Sequence, residues 1–461
     1  MRIKHWFWAI GGLLLVVSGL LVAAPSHSQE DEGENIHKNV LQSYEGPQTC
    51  LMCHPADGQE VAESVHYTMY APRTNLVGSE EIEAVGMATM YCGLPSTVLD
   101  INWLGLLQPQ DSSLPAQPGG CAKCHITTGP RPNVIEQQTA ADYANVDCLM
   151  CHGPDYARTV VKEDDVLKFA PAEGVDILAV AQNVGTPTDE MCLRCHAGAG
   201  GALNAKHGVI PTAASDVHTA AGLQCVDCHT TVDHKIAGGS DVKAQDPVET
   251  QLACTNCHTD LHQESVVGDR LNAHTEYVAC QSCHIPTIAR DPDMPTVVYR
   301  DYAEPVLNAA TGLYGPTNEW ASEVIPDYLW WNRGVTEPPG PDGTRADGML
   351  MPWKEIVVNV PVDAATGDAV PMKLGPYYIT GKLIAGVTQG VSAMQALDVA
   401  YEFSGTFDME EEILRFAVNH QVAPAEDAVK CGECHSRDQR LDWAELGYTR
   451  EEINYLGSFG P

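Results

Sequence analysis

Eight copies of the pentapeptide Cys-x-x-Cys-His run through this chain, opening at Cys50, Cys121, Cys148, Cys192, Cys225, Cys254, Cys280 and Cys431. They close with Cys53, Cys124, Cys151, Cys195, Cys228, Cys257, Cys283 and Cys434, which leaves Cys92 as the one cysteine of 17 outside the pattern. Each second cysteine is followed directly by histidine, at His54, His125, His152, His196, His229, His258, His284 and His435. Covalent attachment of a c-type haem requires this spacing. Two thiols add to the two vinyl groups of one porphyrin, and the adjacent histidine turns back onto the iron. Disulfides and paired CxxC zinc sites need no histidine directly after the second cysteine, so they do not explain the repetition. The expectation is eight covalently attached haem c groups.

So many prosthetic groups dictate the fold. Apolar burial in such a chain is mostly of porphyrin against side chains, and thioether links staple regions where protein core is thin. The expected fold class is therefore a multihaem cytochrome c, built mainly of short α-helices and irregular loops around packed haems.

Residues 1–28 read as a secretory signal, with basic Arg2 and Lys4, an apolar run from Trp6 to Ala24, and small residues before a cut ahead of Gln29. An uncleaved anchor is the alternative, since the run is long enough to span a bilayer. Cleavage implies a soluble chain, periplasmic or extracellular, with no stable membrane span. The formal charge of −35 becomes about −37 without Arg2 and Lys4. That balance argues against nucleic acid as a partner. It favours solubility and basic redox partner proteins, including other cytochromes, with self-association through terminal haems as a further possibility.

Motif spacing divides the remainder into an N-terminal haem region at 29–190 with motifs one to three, and a dense central block at 191–290 with motifs four to seven. A haem-free Pro/Gly/Trp-rich insert at 291–404 and a C-terminal part at 405–461 with the eighth motif complete the chain. The central block carries a partial repeat, with His218-Thr219 ahead of Cys225 and His274-Thr275 ahead of Cys280. In the insert, Glu355 to Val362 and Met372 to Thr380 flank an ATGD turn and predict a small β-hairpin. Ser392 to Phe403 and Glu410 to Asn419 predict helices, the second opened by Asp408 with Glu411. Thr449 with Glu452 predicts a short helix that stops at Gly457. A helical window over Gln59 to Tyr70 brings His66 within reach of an iron. Asp291 and Asp293, in a Pro-rich loop, read as solvated rather than as a calcium pair.

Each motif fills one axial position of its iron, and the second position decides function. Histidine there gives a closed electron-transfer site, whereas an open position admits substrate. Beyond the leader, eight histidines lie outside the motifs: His37, His66, His207, His218, His234, His262, His274 and His420. Eight sites and eight spare imidazoles match in number. If His37, in an acidic N-terminal arm, misses its iron, one site is open. Cys92 is either a small buried apolar residue or a thiol beside such an open site. Lys162 and Lys123 are alternative iron ligands by chemistry, although solvated charge accounts for both.

The order of motifs resembles the octahaem tetrathionate reductase-like cytochromes, from about Thr49 to Tyr448. The resemblance rests on TCLMCH followed by SVHY, MYCGLP ahead of Asn102-Trp103, VDCLMCH, CLRCHAGAGG, and DVH with LQCVDCHTTVDHKIAG. It continues through HTEYVACQSCHIP, WWNRG, and NHQVAPAEDAVKCGECH with LGY. It implies closely packed haems forming an electron wire, with one iron near the second motif that binds substrate beside a cysteine and a lysine ligand. Cys92 matches the cysteine position. Where that family tends to carry Tyr-Lys, this chain has Tyr156-Ala157-Arg158, leaving Lys162 as the substitute. Octahaem hydroxylamine-oxidising enzymes match less well in the connecting segments.

Three functions follow from these readings. The first is electron transfer along mostly or wholly bis-histidine haems. The second is terminal reduction of a sulfur or nitrogen oxyanion (tetrathionate, nitrite or hydroxylamine) at one open haem, with Cys92 and Lys162 as catalytic candidates and Arg158 or Lys162 countering developing charge. The third is a subunit of an extracellular cytochrome filament.

Overall fold

The computed structural model describes residues 35–68, 70–72, 84–86, 104–198, 210–238, 248–263, 265–334, 340–397, 400–436 and 440–458. Most of the haem-motif region is short helix and loop. The motifs sit on single turns such as Leu149–His152, Cys225–Cys228, Cys280–His284 and Cys431–Cys434, or at the end of the helix Asp189–His196. Among the described residues, four two-stranded ribbons interrupt this region. They are β1 (Tyr70–Pro72) with β2 (Ala84–Gly86), β3 (Gly105–Leu107) with β4 (Gln117–Gly119), β5 (Arg158–Glu163) with β6 (Val166–Pro171), and β7 (Thr231–Val232) with β8 (Lys235–Ile236).

The segment between the seventh and eighth motifs is larger than the hairpin expected from sequence. It is a five-stranded sheet of β9 (Thr296–Asn308), β10 (Leu313–Ala321), β11 (Asp327–Trp331), β12 (Met349–Asp363) and β13 (Phe407–Ala417). β12 pairs with β11 through its first residues and with β13 along the rest, both antiparallel, and touches β9 in parallel at 357–359. Ile356, Val358 and Val360 alternate into one face and pack with Val297, Tyr302, Leu414 and Phe416 under the helix Leu374–Thr380.

Two sequence expectations fail here for physical reasons. Met372 to Thr380 is not the second hairpin strand, because Leu374–Thr380 is helical, with Pro376 in its first turn and Gly381 closing it at φ 64. Proline just inside a helix start and glycine just past its end are helix signals. Glu410 to Asn419 is not a helix: Glu410, Glu411 and Glu412 lie opposite Val360, Asn359 and Val358 in the ladder. Burying Leu414 and Phe416 two residues apart outweighs the helix preference of the glutamates. β13 therefore belongs with the strands of the insert, across the 404/405 boundary.

The first of the expected insert helices, Ser392 to Phe403, is present but displaced, running Leu383–Leu397. The helix Arg450–Leu456 forms as expected, with the Thr449–Glu452 capping box and Gly457 at its end. The window around His66 is two pieces, Pro55–Ala62 and Val65–Thr68.

The sheet holds two parts of the haem region in place. The Ala279 N–H donates to the Leu350 carbonyl at 2.9 Å, and the Leu350 N–H to the Tyr277 carbonyl at 2.7 Å, docking the seventh motif on β12. β13 runs directly into His420, after which the Ala423 N–H reaches the His284 carbonyl at 2.7 Å.

A candidate chain of haem sites

A single continuous cavity of about 4400 Å³ runs through the motif region. Fifteen motif cysteines line it together with all fifteen histidines of the described residues. One small-molecule site usually takes about 300–1,000 Å³, so this space is several ligands large. Divided among eight groups it gives about 550 Å³ each, inside the ordinary single-ligand range.

Among the described residues, histidines face one another across this cavity in seven pairs. His37 faces His54, His66 faces His196, His234 faces His152, His218 faces His258, His420 faces His229, His262 faces His284 and His274 faces His435. Ring centres are 6.1–6.4 Å apart in every pair. That distance fits a shared metal. Two imidazole nitrogens each about 2 Å from a shared metal, with roughly 1.1 Å more to each ring centre, set the centres about 6.2 Å apart. Ordinary aromatic pairs spread over about 4.5–7 Å, so the recurrence of one distance at widely different ring angles is what points to a shared metal. Each pair joins one motif histidine to one from outside the motifs, so the residues fit trans-axial ligation of an iron between them.

Local hydrogen bonds aim the rings. Nδ1 of His37 meets Asn35 Oδ1 at 3.0 Å, that of His262 meets Asn272 Oδ1 at 2.8 Å, and that of His274 meets the Arg270 carbonyl at 2.7 Å. Among motif histidines, His152 meets the Gly185 carbonyl and His229 the Ala237 carbonyl, both at 2.9 Å. Carboxylates hold two others, Asp57 at 3.0 Å from His54 and Glu60 at 2.8 Å from His234. Asp216 is 3.5 Å from His218 and raises its pKa through that contact. An oxygen on Nδ1 fixes the tautomer and leaves Nε2 for a metal. Sequence reading missed these partners. The signal was present in two places, where an Asx two residues before the histidine caps its helix: Asn35 ahead of His37 and Asp216 ahead of His218.

The seven pairs use every spare histidine except His207, which lies outside the described residues, as does Cys92. His125 of the second motif is buried, its Nδ1 is 3.3 Å from the Tyr67 carbonyl, and burial pushes its pKa down to about 4. The ring is thus neutral, the form that binds metal. Arg158 lies beside it, but its guanidinium is committed to the main chain. It donates to the carbonyls of Thr127 at 2.7 Å and Ala122 at 2.8 Å, to that of His125, and to Asp147 at 2.7 Å. Lys162 is on β5, exposed, and paired with Asp165 at 2.9 Å. Lys123 lines the cavity next to Cys124. Asp291 accepts from Thr212 at 2.8 Å and from the Asp293 N–H at 3.1 Å, closing a loop.

Thiols of different motifs come together in a definite order. Cys50 lies beside Cys148, Cys124 beside Cys195, Cys192 beside Cys225, and Cys254 beside Cys280. Cys151 lies near Cys192, Cys228 near Cys257, and Cys283 near Cys431 and Cys434. The attachment sites therefore follow one another as first, third, fourth, fifth, sixth, seventh and eighth, with the second beside the fourth.

Three parts of the chain match cytochrome c families. Residues 108–153 match the family model for cytochrome c554 and c-prime, residues 211–287 that for cytochrome c7 and related cytochrome c, and residues 314–438 that for bacterial cytochrome c. The crystal structure of octaheme cytochrome c from Shewanella oneidensis superposes with a TM-score of 0.65 at 24% identity, covering 92% of this chain and 99% of that one. The chain is a multihaem c-type cytochrome. An uncharacterized protein of Archaeoglobus fulgidus is also similar to this cytochrome, 28% identical over 249 residues that span 46% of this chain and 81% of the relative. Among the described residues of the cytochrome, no helix is long and apolar enough to cross a membrane.

Proposed function

We propose that this cytochrome is an electron carrier with eight covalently attached haems, each iron held between two imidazoles. The observation that carries the reading is the set of seven histidine pairs at 6.1–6.4 Å. Each CxxCH supplies two thioether links and the proximal ligand. His37, His66, His234, His420, His218, His262 and His274 supply the distal ligands of the first, fourth, third, fifth, sixth, seventh and eighth sites, and His207 that of the second. The haems supply one-electron redox chemistry. The protein holds them in series, in the order given by the thiol contacts, and shields them from exchangeable ligands. Residues 1–28 direct the chain to the periplasm or beyond, where basic redox proteins are the partners that its acidic surface suits.

The reductase reading draws less support. Arg158 already serves four acceptors and Lys162 faces Asp165 at the surface, so neither is poised to counter charge on a substrate.

Low-temperature EPR and intact-mass measurement test the proposal together. The expected result is a mass increment of eight haems, ferric signals that are all low-spin, and no response to nitrite, hydroxylamine or tetrathionate. In His207→Ala one low-spin site should turn high-spin. A high-spin signal in the wild type that shifts with any of those ligands would overturn the fully closed wire.

A further inference from the structure

One turn of one helix touches the ligands of two different sites. In Pro55–Ala62, Asp57 and Glu60 stand three residues apart and share a face. Asp57 Oδ2 is 3.0 Å from Nδ1 of His54, the motif ligand of the first site. Glu60 Oε2 is 2.8 Å from Nδ1 of His234, whose ring faces His152 of the third site. A carboxylate oxygen of Asp57, one of Glu60 and a ring nitrogen of His234 all lie within 4.8 Å of one another. The first and third sites are also neighbours through Cys50 and Cys148.

Carboxylates differ in effect from the neutral oxygens that hold His37, His152, His229, His262 and His274. A negative acceptor draws on the Nδ1 proton, makes the imidazole a stronger donor through Nε2, and favours the ferric over the ferrous state. Asp216, at 3.5 Å from His218, is too distant to act as strongly. Resting on the bis-histidine reading above, we propose that Asp57 and Glu60 are paired tuning residues that depress the reduction potentials of the first and third haems. That makes this end of the series the one from which electrons set out toward the seventh and eighth sites.

Ring orientation provides the means to test it site by site. The His37 and His54 planes are 25° apart, whereas those of His152 and His234 are 71° apart. Near-parallel imidazoles split the iron dxz and dyz orbitals and give a rhombic low-spin spectrum. Near-perpendicular ones leave those orbitals close in energy and give a large-gmax signal.

The experiment is a potentiometric titration of the holoprotein followed by EPR, for wild type, Asp57→Asn, Glu60→Gln and the charge-matched surface control Glu410→Gln. The amides keep an oxygen acceptor and so preserve ring geometry. Asp57→Asn should raise the midpoint of one rhombic signal, Glu60→Gln that of one large-gmax signal, and Glu410→Gln neither, with g-values unchanged throughout. Unmoved midpoints in the first two variants, or equal shifts in the control, would overturn the inference. Failure of the bis-histidine reading itself would look different, as high-spin signals already present in the wild type.

Discussion

Asp147 and Arg158 meet at 2.7 Å in the interior, with their side chains 0% and 5% exposed. Asp147 immediately precedes the third motif, and Tyr156 donates a further hydrogen bond to it at 3.0 Å. Arg158 clasps carbonyls of the second motif and its flank, while the Asp147 N–H reaches the Ile126 carbonyl at 2.8 Å. One buried ion pair thus welds two haem-attachment turns together. Burial pushes the Asp147 carboxyl up and the guanidinium opposes it, so the charge is tolerable only while Arg158 is present.

Arg158→Met is accordingly expected to destabilise the holoprotein by about 3–5 kcal/mol, the usual cost of removing one partner of a buried pair. Arg158→Lys should recover only part of this, because a single ammonium cannot serve four acceptors in fork geometry. Chemical denaturation followed at the haem absorption band measures both. An Arg158→Met protein as stable as wild type would show that the pair contributes nothing net.

The haem-binding half of this architecture was legible in sequence because its signal is contiguous: five residues carry two anchors and a ligand. The number of spare histidines was legible too. Which histidine crosses to which site was not, since His420 reaches His229, and His66 reaches His196, through tertiary packing that no local pattern encodes. The sheet was misread where local preference and long-range pairing disagree. The three glutamates of β13 favour helix alone but lie in the ladder against β12. Met372 to Thr380 reads as a strand from its β-branched and aromatic residues, whereas Pro376 and Gly381 are the entry and stop of a helix. Arg158 looked like a charge available to a substrate until its carbonyl partners were known.

His262 and His284 are the most nearly parallel of the seven pairs, with 6° between ring planes. Replacing His262 by Ala should convert the most rhombic low-spin EPR signal to a high-spin one while leaving the remaining signals in place. Added imidazole should restore it. Persistence of the complete low-spin set in His262→Ala would show that another group ligates the seventh iron.

Asp216 positions the segments of His218 and His420 at once. Its Oδ1 caps the helix Val217–Ala220, accepting from the His218 N–H at 2.8 Å and the Thr219 N–H at 3.1 Å. Its Oδ2 accepts from the N–H groups of Gln421 at 2.8 Å and Val422 at 2.9 Å, next to His420. Asp216→Ala should therefore broaden or shift the EPR signals of the fifth and sixth sites together. The lost helix cap alone should cost about 0.5–2 kcal/mol. A change confined to one of the two signals would mean that the segments are positioned independently.

Glu452 closes the molecule at its C-terminal end, and it does so in a pH-dependent way. Its carboxylate bonds Arg345 at 2.8 Å and caps its own helix through the Thr449 N–H and hydroxyl, both at 2.8 Å. The Arg345 bond first, and the Thr449 bonds next, hold its pKa down at about 2. Arg345 also lies 3.8 Å over the Tyr448 ring, so the helix Arg450–Leu456 is fastened at its first turn and just ahead of it. An unfolded glutamate titrates near about 4.3. Because the folded value is depressed, the contribution to helix docking is fully present above that pH and is lost as pH falls through about 2. Amide hydrogen exchange over 450–456 should accordingly rise on acidification in the wild type, whereas Glu452→Gln should exchange fast already at neutral pH. Equal exchange in both proteins at neutral pH would place the fastening of this helix elsewhere, on the apolar contacts of Ile453 and Leu456 with Trp443 and Leu446.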